Sequence, residues 1–305
     1  MSNGIKVLLG TSTFAELDSS PMEKLVSAGF EVINNPFRRK LTKQELISLL
    51  PGVKGLIAGL ETLDEEVMSI SELKVISRCG SGISNIDMEA ARKKGIKVFF
   101  TPYGPTTAVA ELTVGAMLNL LRMVSFMDRD MHEGKWTKKV GAQLEGKTIL
   151  ILGFGRIGRK VALLLQPFNV RLLVVDPCIN ETMNGVEVLS LDKALSQADI
   201  ITIHSSGEHE IIGDNEFRII KDGAFLLNAA RGGLINEGAL VNALESGKVA
   251  GAWLDTFGVE PYTGALRKYP HVILTPHIGS YTQECRKSME MEAVDNLISG
   301  FGEGL

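Results

Sequence analysis

The sequence predicts an α/β fold built from two doubly wound parallel-sheet domains. Three observations predict it. Short apolar runs alternate with helical segments from Ile5 to Phe100, the alternation restarts at Lys147 and runs to Leu274, and 305 residues suffice for two cores. Strands that alternate with helices imply a parallel sheet covered on both faces.

In the first series Ile5–Leu9 is a strand. Pro21–Ala28 is a helix with Gly29 as its stop. Phe30–Ile33 is the next strand. Thr42–Leu50 begins with a capping box, Thr42 as cap and Glu45 at the third helical position. Gly55–Ala58 and Lys74–Ser77 are strands, Ile86–Lys94 is helical, and Gly95 stops it before the strand Ile96–Phe100. One long helix is expected from about Thr106 to Met131. It is apolar on more than one face, so domain or subunit packing should bury it. A loop covers Gly134–Gly146. The second series then reads strand 148–152, helix 156–166, strand 170–175, helix 190–196 and strand 199–203, followed by strand 224–227, helix 237–245 and strands 249–253 and 271–274. A last helix, about Thr282 to Ser299, is placed to return to the first domain.

Composition narrows the function classes. Hydrophobic residues make up 45% and charged residues 22%, with a net charge of -4, so no broad basic field points to nucleic acid or an anionic membrane. Cys79, Cys178 and Cys285 are sparse and odd in number. That argues against a disulfide framework, fits a reducing cytoplasm and lacks zinc spacing, so no metal is expected. Met1–Gly10 reads as the start of the first strand rather than a signal peptide. No apolar run approaches the roughly 18–20 residues of a membrane helix.

The strand Thr148–Leu152 runs directly into Gly153-Phe154-Gly155-Arg156-Ile157-Gly158, and a helix follows. The first glycine permits the tight turn, the second lets a pyrophosphate approach the backbone, and the third lets helix and strand pack closely. The helix start offers free N–H groups and a positive dipole end. The next strand ends in Asp176, 18 residues after Gly158. A carboxylate there can accept from both ribose hydroxyls and repels a 2′-phosphate, which favours NAD over NADP. The competing reading is a plain strand-turn-helix with a solvated aspartate.

Chemistry needs an oxygen-binding group and a proton-exchanging group. Of five histidines, His132 and His209 sit in charged surface contexts and His271 at a strand entrance. His277, in Thr275-Pro276-His277-Ile278-Gly279, lies just past a strand end, where ligands gather in open α/β sheets. Arg231 follows the strand Ala224–Leu227; its fork can hold a carboxylate or make an interdomain salt bridge. Glu260, in Asp255-Thr256-Phe257-Gly258-Val259-Glu260-Pro261, can orient an imidazole and stabilise its protonated form, or is a loop acid before proline.

Together, Arg78-Cys79-Gly80-Ser81-Gly82-Ile83-Ser84-Asn85-Ile86-Asp87, Val109-Ala110-Glu111-Leu112, the glycine turn, Asn228–Gly233, Asp255–Pro261 and Thr275–Gly279 resemble the D-isomer-specific 2-hydroxyacid dehydrogenase family, in its phosphoglycerate dehydrogenase-like branch. The resemblance covers nearly the whole chain. It implies a Rossmann NAD-binding domain, residues 99–282, inserted into a flavodoxin-like substrate domain, residues 1–98 and 283–305, and homodimers built largely through the NAD-binding domains. It implies His277 as acid/base, Glu260 as its partner and Arg231 as substrate anchor, interconverting a D-2-hydroxy acid and its 2-oxo acid. Ser81 and Gly82 would hold the substrate carboxylate through backbone N–H groups. Asp255 would contact the carboxamide end of the cofactor, and His204, Ser205, Ala229, Ala230, Arg231 and His277 would line it.

Departures from the family pattern matter. Ser205–Glu210 replaces Pro-Leu-Thr and a longer loop, and is about three residues shorter. Ser84 and Asn236 stand where the family often has Asp. No arginine follows Leu56-Ile57-Ala58-Gly59-Leu60, which leaves Arg38, Arg39 or Lys40 to bind a phosphate or to form a solvated surface. No C-terminal regulatory domain is expected. Substrates consistent with the resemblance are 3-phosphoglycerate and glyoxylate/hydroxypyruvate. The alternative of another class is an NAD-sensing, corepressor-like binding protein on the same fold.

Overall fold

The computed structural model describes residues 4–179, 181, 185–207 and 209–302. The two ends of the expected outer domain, residues 1–3 and 303–305, and Glu208 of the 205–210 loop lie outside the described residues. The chain divides into two units, Met1–Pro105 with Ser280–Leu305, and Thr106–Gly279. The divisions fall beyond 98 and before 283 for a local reason. The fifth strand pairs as far as Phe100 with Arg78, and the turn after the last strand belongs with the unit that it closes.

The discontinuous unit contains β1 (Lys6–Leu9), α1 (Ser20–Ser27), β2 (Glu31–Asn34), α2 (Lys43–Leu49), β3 (Val53–Ala58), α3 (Glu65–Ile70), β4 (Val75–Arg78), α4 (Met88–Lys93) and β5 (Lys97–Phe100). Its five strands lie in the order β2-β1-β3-β4-β5, all parallel. That is the flavodoxin-like winding, with the switch point between β1 and β3. The capping box of α2 is present: the Glu45 N–H donates to Thr42 and the Thr42 N–H donates to Glu45. The short α3, capped by Asp64, is an element that hydropathy alone did not reveal.

The continuous unit starts with α5 (Pro105–Arg122) and α6 (Val124–His132), so the single long helix expected here is two, bent by 66°. Met123 between them takes a left-handed conformation, with φ 52°. The Asn119 side chain holds the break, accepting from the Ser125 N–H at 2.9 Å and donating to its hydroxyl at 2.6 Å. The apolar residues of α5, among them Ala116, Met117 and Leu120, are buried in this unit's own core, whereas Val124 and Met131 of α6 are exposed. No single helix among the described residues is long and apolar enough to cross a membrane.

There follow β6 (Thr148–Leu152), α7 (Arg156–Leu165), β7 (Arg171–Val175), β8 (Val186–Val188), α8 (Leu191–Leu195), β9 (Ile200–Ile203), α9 (Asp214–Ile219), β10 (Ala224–Asn228), α10 (Glu237–Glu245), β11 (Val249–Leu254) and β12 (Val272–Leu274). The parallel order is β12-β11-β10-β9-β6-β7-β8, the doubly wound dinucleotide arrangement with one further strand. Its switch point lies between β6 and β9. Both faces are covered: Leu150 and Leu152 enter one core cluster, Ile149 and Ile151 the other. Each such side chain contributes about 1.5–3 kcal/mol by leaving water. The last helix, α11 (Gln283–Phe301), belongs to the discontinuous unit and packs on α1, β3, β4 and β5, the return that its position suggested.

Candidate active site

The glycine turn sits at the switch point of the seven-stranded sheet. Gly153 has φ 90°, and a Cβ there would lie 2.6 Å from the Ser205 nitrogen. A Cβ on Gly158 would lie 2.2 Å from the Gly153 carbonyl oxygen. Only glycine therefore permits this crossing of β6, the 204–205 segment and α7. Around Gly155 the space is open, and no side chain caps α7 or places an acid in its first turn. Arg156 is exposed and Ile157 half-buried beside it. The open second glycine and the uncapped helix start fit a pyrophosphate.

Asp176 ends β7 beside this turn. One carboxylate oxygen accepts from the Phe154 N–H at 2.6 Å and the other from the Cys178 N–H at 2.8 Å. The half-buried carboxylate keeps lone pairs for ribose hydroxyls. It opens onto a cavity of about 560 Å³ lined with Val175, Ile179, Val188 and Leu189, apolar walls suited to a flat ring. His204 follows β9. Burial pushes its imidazole down to about 4, and Nε2 lies 2.9 Å from the Thr202 hydroxyl. Its Nδ1 is a buried polar atom with no hydrogen-bond partner among the described residues. Together these residues fit a dinucleotide.

The chemistry-bearing residues lie after β10, β11 and β12 of the same sheet. Asn228, fully buried at the end of β10, accepts from the Ala230 N–H at 3.0 Å and donates to the Arg231 carbonyl at 2.8 Å. That bracket sets the Ala229–Arg231 turn and leaves Arg231 half-buried. The next residue approaches the β11 loop so closely that a Cβ on Gly232 would fall 1.9 Å from the Phe257 carbonyl carbon. The β10 and β11 loops are thereby locked together.

Glu260 and His277 meet. Nδ1 of His277 is 3.0 Å from a Glu260 carboxylate oxygen, with 37% and 32% of the two side chains exposed. Glu260 also accepts from the Phe257 N–H at 3.1 Å. Burial pushes its carboxyl up, but the His277 hydrogen bond and charge, the Phe257 N–H and the Arg231 charge outweigh that and hold it below the usual glutamate value of 4.5. The Glu260 loop is braced by Phe257 stacked on Tyr262 at 4.2 Å, whose hydroxyl engages Glu237.

His277 itself has φ 54°, uncommon for a residue with a Cβ. Asp255 holds it there. The Asp255 carboxylate is 1% exposed and accepts from the Ile278 N–H at 2.8 Å, the Gly279 N–H at 2.8 Å and the Thr275 hydroxyl at 2.6 Å. Trp253 donates to the Thr275 hydroxyl at 2.9 Å. Through these contacts Asp255 shapes the histidine turn. Asn228, Thr275 and Trp253 are supporting residues that sequence reasoning did not single out. For Asn228 and Thr275 the signal was a polar residue closing a strand; Trp253, inside its strand, offered none.

Ser81 and Gly82 lie in the discontinuous unit, in the loop after β4, exposed and half-buried. Asn236, at a position of departure, caps α10 by accepting from the Ala239 N–H at 3.0 Å and donates to Glu210 at 3.0 Å. Beyond the shortened loop, the Ile211 and Ile212 N–H groups pair with the Leu234 carbonyl at 2.9 and 3.0 Å, so its exit is anchored. In the basic run, Arg38 pairs with Glu16 and Arg39 forks onto Glu45 at 2.6 and 2.9 Å.

Residues 114–279 match the family model described as D-isomer specific 2-hydroxyacid dehydrogenase, NAD binding domain. The chain belongs to this family. Within the family it is 38% identical over 305 residues to a D-3-phosphoglycerate dehydrogenase of Pongo abelii, covering 95% of this chain and 56% of that protein. The chain thus spans about half the length of that protein. A hydroxypyruvate reductase of Thermotoga maritima is 37% identical, covering 86% of this chain and 89% of that one. Among solved family structures, a glyoxylate reductase from Paecilomyes thermophila superposes with a TM-score of 0.87 at 30% identity, over 99% and 97% of the two chains. The glycine turn, Asp176 and the His277–Glu260 pair all fall inside the region that the family model covers.

Proposed function

We propose that the chain is an NAD-dependent oxidoreductase that interconverts a D-2-hydroxy acid and its 2-oxo acid, with 3-phosphoglycerate, hydroxypyruvate and glyoxylate chemistry as the substrate class. The observation that carries this reading is the His277–Glu260 pair at 3.0 Å, on the same sheet edge as Arg231 and the glycine turn. NAD, when bound, supplies the hydride chemistry. With Nδ1 of His277 engaged by Glu260, Nε2 is left to give a proton to the carbonyl oxygen and to take it back in the oxidising direction. Arg231 holds the carboxylate by its two-pronged guanidinium. In the discontinuous unit, backbone N–H groups at Ser81 and Gly82 are the donors this reading assigns to the substrate carboxylate. The names of the relatives support the substrate class, as does the presence of each expected residue type at its expected strand end. In this reading the discontinuous unit is the substrate domain and the continuous unit the NAD-binding domain.

The chain works as a homodimer in the cytoplasm. Exposed Val124, Met131, Trp136 and Val140 cluster in one stretch after α5, which supports self-association there. Three free cysteines support a reducing compartment. The deciding experiment follows the reduced-nicotinamide absorbance while purified protein meets NADH and glyoxylate, hydroxypyruvate or 3-phosphohydroxypyruvate. Tight NADH binding without turnover of any 2-oxo acid would overturn the enzyme reading.

Two further results are expected. Asp176→Ala loses charged hydrogen bonds to the ribose worth about 1.5–3 kcal/mol, so its NADH Kd should rise roughly 10–100-fold while its preference against NADPH shrinks; titration of both nucleotides checks this. Glu260→Gln should lower kcat at neutral pH by about 10²-fold. Because, against the upward push of burial, the His277 hydrogen bond and charge and the Arg231 charge hold Glu260 below the usual glutamate range, its carboxylate is the form present at neutral pH. Loss of rate through its protonation should come only in the acid range, as pH falls through the lowered folded value. A pH–rate profile with an unchanged kcat in the variant would remove Glu260 from the mechanism.

A further inference from the structure

We propose that Glu61 is a positioning residue for the Gly80–Asn85 loop, the segment that holds the substrate carboxylate in the reading above, on which this proposal rests. Glu61 lies just after β3, at the switch point of the five-stranded sheet, and is 1% exposed. Both its oxygens accept from the Gly59 N–H, at 2.9 and 3.0 Å. Burial pushes the carboxyl up, while backbone N–H groups and the charges of Arg78 and Lys40 oppose that. Two glycines clear its place. A Cβ on Gly10 would lie 2.1 Å from one oxygen, and a Cβ on Gly59 2.9 Å from the other.

An apolar side chain could fill the same space without the cost of burying an acid. The carboxylate does something that an apolar residue cannot: it fixes the backbone of the 59–63 turn. That turn is the anchor of the substrate loop. The Asn85 carboxamide donates to the Glu61 carbonyl at 2.6 Å and to the Gly59 carbonyl at 3.3 Å. The Leu63 N–H donates to the Asn85 carbonyl at 2.8 Å, and the Asp87 N–H to the Leu63 carbonyl at 2.9 Å. The loop's other end is tied separately. The Gly80 N–H donates to the Thr101 hydroxyl at 2.7 Å, and the Gly80 carbonyl accepts from the Thr101 N–H at 3.0 Å. Ser81 and Gly82 are therefore suspended between a Thr101 anchor and a Glu61–Asn85 anchor. Displacing Glu61 releases one end of the loop and leaves the continuous unit, with Asp176 and His277, unaltered.

The test is steady-state kinetics with the 2-oxo acid that the unmodified chain turns over, alongside NADH binding and thermal melting. Glu61→Leu should raise KM for the oxo acid tenfold or more, with kcat at saturation and NADH Kd within threefold of the unmodified chain. Glu61→Gln keeps an acceptor for the Gly59 N–H and should restore KM to within threefold. Gly10→Ala, which forces the carboxylate aside, and Asn85→Ala, which cuts the link, should each reproduce the KM rise. These two carry the test if Glu61→Leu does not fold. Unmodified KM in Glu61→Leu and Asn85→Ala overturns the proposal while leaving the enzyme reading intact. So does a parallel fall in kcat and NADH affinity with the melting temperature, which marks a merely structural acid. Failure of the unmodified chain to turn over any oxo acid overturns the enzyme reading itself.

Discussion

Replacing His277 with alanine is expected to lower kcat by about 10²–10⁴-fold while NADH Kd stays within about threefold, since the proposed function assigns binding and chemistry largely to different residues. The prediction follows from position. His277 lies after β12 and engages Glu260, whereas the pyrophosphate turn and Asp176 lie after β6 and β7, four and five strands along the order β12-β11-β10-β9-β6-β7. Alanine keeps the Cβ, so the φ 54° turn is no easier to hold, but its backbone is held by the Asp255 contacts to Ile278 and Gly279, which the substitution leaves in place. Melting curves and fluorescence titration with NADH measure the two quantities that must not move. A large loss of NADH affinity would mean that His277 acts as a cofactor contact, and a wild-type kcat would mean that the proton comes from elsewhere.

Local signals were legible in the sequence and long-range ones were not. The Thr42–Glu45 capping box and the Gly153–Gly158 turn are defined within six residues or fewer, and both occur as expected. The break at Met123 was invisible because neither proline nor glycine marks it. It depends on Asn119 reaching Ser125, a side-chain contact that periodicity does not encode. Helices α3 and α9 have six residues each, too few turns for an apolar stripe to declare itself. At the candidate site, His277, Glu260 and Arg231 could each be picked out as a polar residue past a strand end. Their meeting could only be inferred from family resemblance, because 17 residues separate His277 from Glu260. Residues that act on backbone groups were the hardest to see. Glu61 belongs to no motif, and two of the three partners of Asp255 are N–H groups present at every position but proline.

Asp255 carries the second large effect. Asp255→Ala deprives the Ile278 and Gly279 N–H groups and the Thr275 hydroxyl of their acceptor at a site 1% exposed. Each buried group left unsatisfied costs about 1–3 kcal/mol, and the sum should lower the melting temperature by on the order of 10 °C. Asp255→Asn is not a mild substitute. An asparagine offers one acceptor oxygen where the aspartate offers two, so its amide N–H must face the donor of Ile278 or of Gly279. Both variants should therefore lose kcat as well as stability, because the turn they disturb is the one that holds His277. The double variant separates the two losses. If Asp255 acts on turnover only by placing His277, then Asp255→Asn adds nothing to the kinetic defect of His277→Ala, yet still subtracts its full share of stability. A further drop in the residual rate of the double variant would instead show Asp255 touching the reaction directly, in line with a contact to the carboxamide end of NAD.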